Sequence, residues 1–143
     1  MKRLLLFFIA LIALLTGCNQ SVSSEDIAKV TYEWEKATLK ADYELEQQFL
    51  YEQGTYEIHK DTPLRENDLK YEDMQIEVYY DKENDWYYSL FNYTNPEEEN
   101  KVEDGYVVRE KDNKLKIDIE KSKDIKQDKI KESFKREACI NCK

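Results

Sequence analysis

Twelve apolar residues in a row, Leu4 to Leu15, follow the basic start Met1-Lys2-Arg3 and form the longest aliphatic run of this 143-residue chain. A run of this length does not cross a ~30 Å hydrocarbon core as a helix, which takes ~20 residues. A basic start, an apolar middle and small residues after it are the anatomy of a cleaved secretory leader. Removing that leader constrains what the rest can fold into. The remaining core has to come largely from aromatic side chains with scattered Ile, Leu and Val. The 11 tyrosines and 2 tryptophans all lie beyond the leader. Aromatic side chains bury much area per residue, so a modest core is feasible.

The leader closes on Leu15-Thr16-Gly17-Cys18. This ending resembles the lipobox of bacterial lipoproteins. The resemblance implies cleavage before Cys18 and a diacylglycerol on its sulfur, with Leu15 as the apolar lipobox residue and Thr16 and Gly17 as the small ones. It implies a palmitate-type anchor in the cell membrane and an extracytoplasmic location. No other cofactor is expected. The chain then divides into a leader over 1–17, a polar tether over 18–23 and one domain over 24–143, within the usual size of a single domain.

Cleavage removes Lys2 and Arg3 and no acid, so the remainder is two charges more acidic than the −9 of the full chain. A strongly acidic chain is repelled by polyphosphate backbones, which argues against nucleic acid. It is also repelled by anionic lipid, so membrane attachment rests on the acyl chains. The charge suits a cationic partner, a basic peptide or the basic patch of a protein, and it serves solubility equally well. With Cys18 assigned to lipid, Cys139 and Cys142 remain as a pair in a compartment that permits disulfides. Their spacing is that of a thioredoxin-type redox pair, but no βαβ context surrounds them. The reading is a small disulfide loop or two idle thiols. Two thiolates and a distant His59 do not make a zinc site, and no metal site is expected.

Ser23 with Asp26 makes a capping-box signal, and apolar residues recur at Ile27, Val30, Trp34, Ala37, Ala41, Leu45 and Phe49. Steps of three and four mark one face of a helix. The spacing predicts a helix from about 24 to 53, ended by Gly54, with a break in its middle left open. Tyr56-Glu57-Ile58 is a short strand or the start of a loop, broken at Thr62-Pro63. Met74, Ile76, Val78 and Tyr80 alternate with polar residues as in a half-buried strand. Asp81 to Asp85 is a turn, Trp86 to Tyr93 the returning strand, and Asn95 to Asn100 a solvated loop. Tyr106-Val107-Val108 and Leu115 to Ile119 form a second hairpin through Lys111-Asp112-Asn113. Ser122, Ile125, Ile130, Phe134 and Ala138 suggest a short, charged C-terminal helix. The sum is an α+β fold, a long N-terminal helix packed on an antiparallel sheet of about four strands.

A lipobox, an N-terminal helix and a meander rich in tyrosine and charge are similar to the small cystatin-like-fold lipoproteins of Gram-positive bacteria, some carried on conjugative elements. The segment Ile76-Glu77-Val78-Tyr79-Tyr80-Asp81 and the aromatic strand after it carry the likeness. The resemblance implies recognition of a membrane-bound partner, for instance in exclusion of redundant transfer.

Chemistry is sparse. His59 is the single histidine and no nucleophile motif accompanies it. Three glycines leave none for a phosphate loop. Asp81-x-Glu83-x-Asp85 imitates a calcium loop, but Trp86 stands where the turn needs glycine and Asn92 where it needs glutamate. In the aromatic strand, Trp86, Tyr88 and Leu90 share one face and Tyr87, Phe91 and Tyr93 the other. One face belongs under the long helix. If the second is uncovered, Tyr87, Phe91 and Tyr93, joined by Tyr79, form a partner surface. The expectation is a non-enzymatic, lipid-anchored interaction protein with a protein or peptide partner. The alternatives are an immunity lipoprotein that binds a cationic antimicrobial peptide, and an envelope-associated enzyme.

Overall fold

A computed structural model describes residues 21–143. The leader and Cys18 lie outside the described residues. The first helix, α1 (Ser24–Leu39), starts as the capping signal predicts. The Ser23 side chain accepts from the Asp26 N–H at 3.2 Å, and Asp26 Oδ2 accepts from the Ser23 N–H at 3.1 Å. Such a box satisfies two N–H groups that a helix start leaves without partners.

The predicted long helix is two helices. Ala41 takes a left-handed φ of 54°, the Ala41 N–H donates to Thr38 O, and the Asp42 N–H donates to Ala37 O. These are the paired bonds of a Schellman ending, normally built on glycine. Asp42 then caps α2 (Tyr43–Phe49), its Oδ1 accepting from the Leu45 N–H at 3.1 Å. Helical structure stops at Phe49, short of Gly54. Tyr56-Glu57-Ile58 is loop rather than strand, and a single 3-10 turn (Tyr71–Asp73) leads into the sheet.

The sheet has five strands rather than four: β1 (Gln75–Asp81), β2 (Trp86–Thr94), β3 (Lys101–Lys111), β4 (Lys114–Asp118) and β5 (Arg136–Ile140). Their order is β4-β3-β2-β1-β5, and every strand pairing is antiparallel. The C-terminal helix is likewise two short helices, α3 (Ile119–Ser122) and α4 (Gln127–Ser133), after which β5 returns to pair with β1.

Pairing of Ile76 with Phe91, Val78 with Ser89 and Tyr80 with Tyr87 puts these six side chains on one sheet face. That face meets Ile27, Ala28, Tyr32 and Trp34 of α1 in the main core. The opposite face carries Tyr79, Tyr88, Leu90 and Val107, covered by Ile125, Ile130 and Phe134 from the α3–α4 region. Both faces of the sheet are therefore interior.

Gly105 lies opposite Leu90 in the β2–β3 register. A Cβ at this position would sit 2.5 Å from Leu90 Cδ2 and 3.3 Å from Ser89 O. With Leu90 itself buried, the second core has to give way. Gly105→Ala is expected to destabilise the fold by about 1–3 kcal/mol, the usual scale of overpacking, read as a lowered urea midpoint at unchanged slope.

Candidate functional site

The aromatic residues assigned to a partner surface do not form one. Phe91 is 3% exposed and Tyr93 4%, both beneath α1, while Tyr79, 4% exposed, lies on the other face under the C-terminal segment. Tyr87 is half-buried beside Tyr80, ring centroids 4.9 Å apart. The strand period separates the two faces correctly, but it carries no information about what covers each. Cys139, on β5, and Cys142 are joined as a disulfide with Cα atoms 5.7 Å apart. The intervening Asn141 has φ 55° and donates from Nδ2 to Tyr71 O at 2.7 Å, which pins this corner to the start of the sheet. Asp81 closes the β1–β2 turn by accepting from the Glu83 and Asn84 N–H groups and from Asn84 Nδ2. Burial pushes its carboxyl up, and these bonds outweigh burial to hold it below the usual range.

Two carboxylates that the helical pattern hides lie inside the fold. Glu35 is turned from α1 onto the sheet, where Tyr106 donates to its Oε1 at 2.6 Å and Tyr93 to its Oε2 at 2.7 Å. Burial raises its pKa, against the pull of the two phenols. Glu46, on α2, is fully buried with its Oε1 2.5 Å from His59 Nδ1, while Oε2 has no hydrogen-bond partner. Burial raises the Glu46 carboxyl too, opposed by His59. Tyr56 packs its ring edge-on to both Trp34 and His59, so the two acids flank one aromatic cluster. Burial, then Glu46 and Glu35, push the Tyr56 phenol upward. A phenol used as nucleophile or base needs the opposite shift. The bonds of Glu35 tie α1 to the sheet, and the Glu46–His59 contact ties the 51–70 loop to α2. A sequence signal for Glu35 exists in retrospect: it continues the four-residue step from Ile27 and Thr31, both buried.

Among the described residues, a groove of about 780 Å³ lies between the end of α2 and the β3–β4 hairpin, and a smaller one of about 390 Å³ lies between α1 and residues 67–72. Phe49, Leu50 and Tyr51 line one side of the larger groove, and Lys111, Lys114, Leu115 and Lys116 the other. Leu50 makes an isolated parallel bridge to Ile117, and the Tyr51 N–H donates to Ile117 O at 2.8 Å. The Lys111 ammonium donates to Tyr51 O at 2.7 Å, and that of Lys116 to Gln48 O. Arg109 bonds Asp118 at 2.7 Å and lies over the Tyr51 ring, 4.1 Å from its centroid. Among the described residues, no group of three or more His, Cys, Asp or Glu is placed to hold a metal ion. No helix among them is long and apolar enough to cross a membrane.

The sequence matches no protein-family model, and neither a curated protein nor a solved structure is significantly similar to it.

The raised Glu35 pKa fixes the sign of a pH effect. A carboxyl that holds its proton more tightly when folded lends stability at low pH, and that contribution is lost as pH climbs from the unfolded value of about 4.5 through the folded one. Glu35→Gln removes the titration while keeping an acceptor and supplying a donor for the two phenols. Thermal melts should find Glu35→Gln at least as stable as the parent at pH 7. The difference should narrow toward pH 4.

Proposed function

We propose that this chain is a lipid-anchored, non-enzymatic interaction protein on the outer face of a bacterial membrane, where it recognises a protein or peptide partner. The observation that carries this reading is the apolar leader closing on Leu15-Thr16-Gly17-Cys18. Cys18 is the lipid-bearing residue. An acyl anchor confines the protein to a thin layer, so a weak contact gains from high effective concentration. A helix laid on an antiparallel meander supports a cystatin-like arrangement. With it comes the narrower proposal of partner recognition in conjugative-element exclusion.

The second reading, sequestration of a cationic antimicrobial peptide, draws on the acidic loop Glu97-Glu98-Glu99, all three residues exposed. The two readings part in cells. Loss of the gene lifts mating frequency into recipient cells if the role is exclusion, and raises peptide sensitivity if the role is immunity.

Cys18→Ala should abolish incorporation of labelled palmitate and move the protein from the detergent phase to the aqueous phase. Crosslinking in intact membranes followed by pull-down should recover a partner with the parent and little with Cys18→Ala. Full partner recovery by an unlipidated Cys18→Ala protein would sink the anchored reading. Cys142→Ser is expected to leave partner recovery unchanged, which a thiol-based activity would not allow.

A further inference from the structure

The β3–β4 hairpin breaks a rule of sheet design at its tip. Its register pairs Lys111 with Lys114 and Arg109 with Lys116. Residues 109 and 111 alternate onto one face of the strand, so two like-charged cross-strand pairs lie side by side on the same surface. Directly opposed like charges destabilise a sheet. The chain is otherwise strongly acidic, with a net charge of −9, so acids to place opposite these lysines are plentiful. Only Arg109 receives one, from Asp118. Lys111 and Lys116 rest on backbone carbonyls. Among the described residues, neither these two nor Lys114 forms a salt bridge. Lys116 feels the crowding: burial, then Lys114 and Lys111, hold its ammonium below the usual lysine range.

The backbone beside these lysines has free capacity. The two-residue loop Asp112-Asn113, with φ values of 53° and 58°, makes Lys111 and Lys114 a hydrogen-bonded closing pair. Antiparallel alternation then points the N–H and C=O of Leu115 and Ile117 away from β3. Tyr51 takes the Ile117 carbonyl. Leu115 faces the groove on the outer side of an edge strand.

We propose that this groove binds an extended acidic segment of a partner polypeptide, its carboxylates met by Lys111, Lys114 and Lys116 and its backbone by the open edge of β4 at Leu115. An extended chain supplies both what the lysines lack and what the edge lacks. A bilayer surface is the poorer fit, because it is flat where the site is concave and offers no backbone to the open edge of β4. The proposal rests on the reading of the chain as a binding protein and names the chemistry of its partner.

The test uses the full-length chain in non-ionic detergent with fluorescein-labelled octaglutamate as probe, read by anisotropy. The parent should bind octaglutamate in a salt-sensitive manner and leave octaglutamine unbound. Lys114→Glu combined with Lys111→Gln should weaken binding by roughly tenfold or more. Lys82→Glu with Lys129→Glu, both exposed and remote in sequence from the groove, should stay within about twofold of the parent. Removing the like-charge pairs should leave the melting temperature of the groove variant unchanged or raised. Equal octaglutamate binding by the groove and control variants overturns the proposal. So does capture of phosphatidylglycerol vesicles through the same lysines, which assigns the groove to lipid, or self-association lost on Lys114→Glu, which assigns it to a second copy. Partner recovery in membranes that survives the groove substitutions places recognition elsewhere, and leaves the anchored-binder reading standing.

Discussion

Burial of both faces of one antiparallel sheet is the constraint from which the rest of this structure follows. A sheet with a wet side needs a single layer to cover it, but here the aromatic strand β2 is apolar on both sides. Tyr87, Phe91 and Tyr93 go under α1, whereas Tyr88 and Leu90 go under the α3–α4 segment. The second layer obliges the chain to continue past β4, cross the sheet and return. Once it has crossed, β5 joins the edge at β1, and the disulfide between Cys139 and Cys142 with the Asn141 bonds fixes that return. The charged C-terminal sequence thus supplies half of the covering of a sheet four of whose five strands precede it.

A core of large aromatics also needs its polar atoms answered. Tyr93 and Tyr106 both direct their hydroxyls at Glu35, and the hydroxyls of Thr31 and Ser89 share a bond of 2.7 Å across the same interface. An apolar helix face would slide on a sheet with little penalty for a small shift in register. A carboxylate bonded at once to β2 and β3 does not, because a shift leaves a buried acid without donors, at a cost of several kcal/mol. Burial of Glu35 costs stability and returns a single docking position for α1. The same logic holds for Glu46 with His59, which ties the long loop after α2 back onto the domain.

This division explains which parts of the fold were legible in the sequence. The capping box at Ser23, the β1 and β2 strands, the Asp81 turn and the β3–β4 hairpin rest on local rules, so their residues announce them. Ala41 does not announce the break between α1 and α2, because alanine is a helix former and only the surrounding structure forces its positive φ. The segment Arg136–Ile140 carries no clean alternation, and its strand state is imposed by the free edge of β1. The supposed aromatic surface failed for a related reason. Alternation tells which side chains share a face, and the covering of that face is a long-range fact. The buried acids escaped notice among 31 acidic residues, most of which a composition count assigns to solvent.

With both sheet faces spent on the interior, the surface open to a partner consists of edges, loop tips and the concave seams between elements. Among such places the seam at β4 combines three features. It gathers cations on an acidic chain, leaves the outer edge of β4 open at Leu115, and holds two of its lysines against carbonyls at the end of α2. Contacts inside the domain offset only part of the repulsion among four cations on one hairpin face: Asp118 and the Tyr51 ring answer Arg109, backbone carbonyls answer Lys111 and Lys116, and among the described residues Lys114 has no ion-pair partner. A local arrangement that opposes folding and is answered only in part inside the domain suits compensation from outside it. The loop acids Glu97 to Glu99 oppose folding far less, because they are solvated and each can turn away from its neighbours. Charge alone therefore does not distinguish a binding surface from a soluble one. The lysines of the hairpin are distinguished by a register that holds them together.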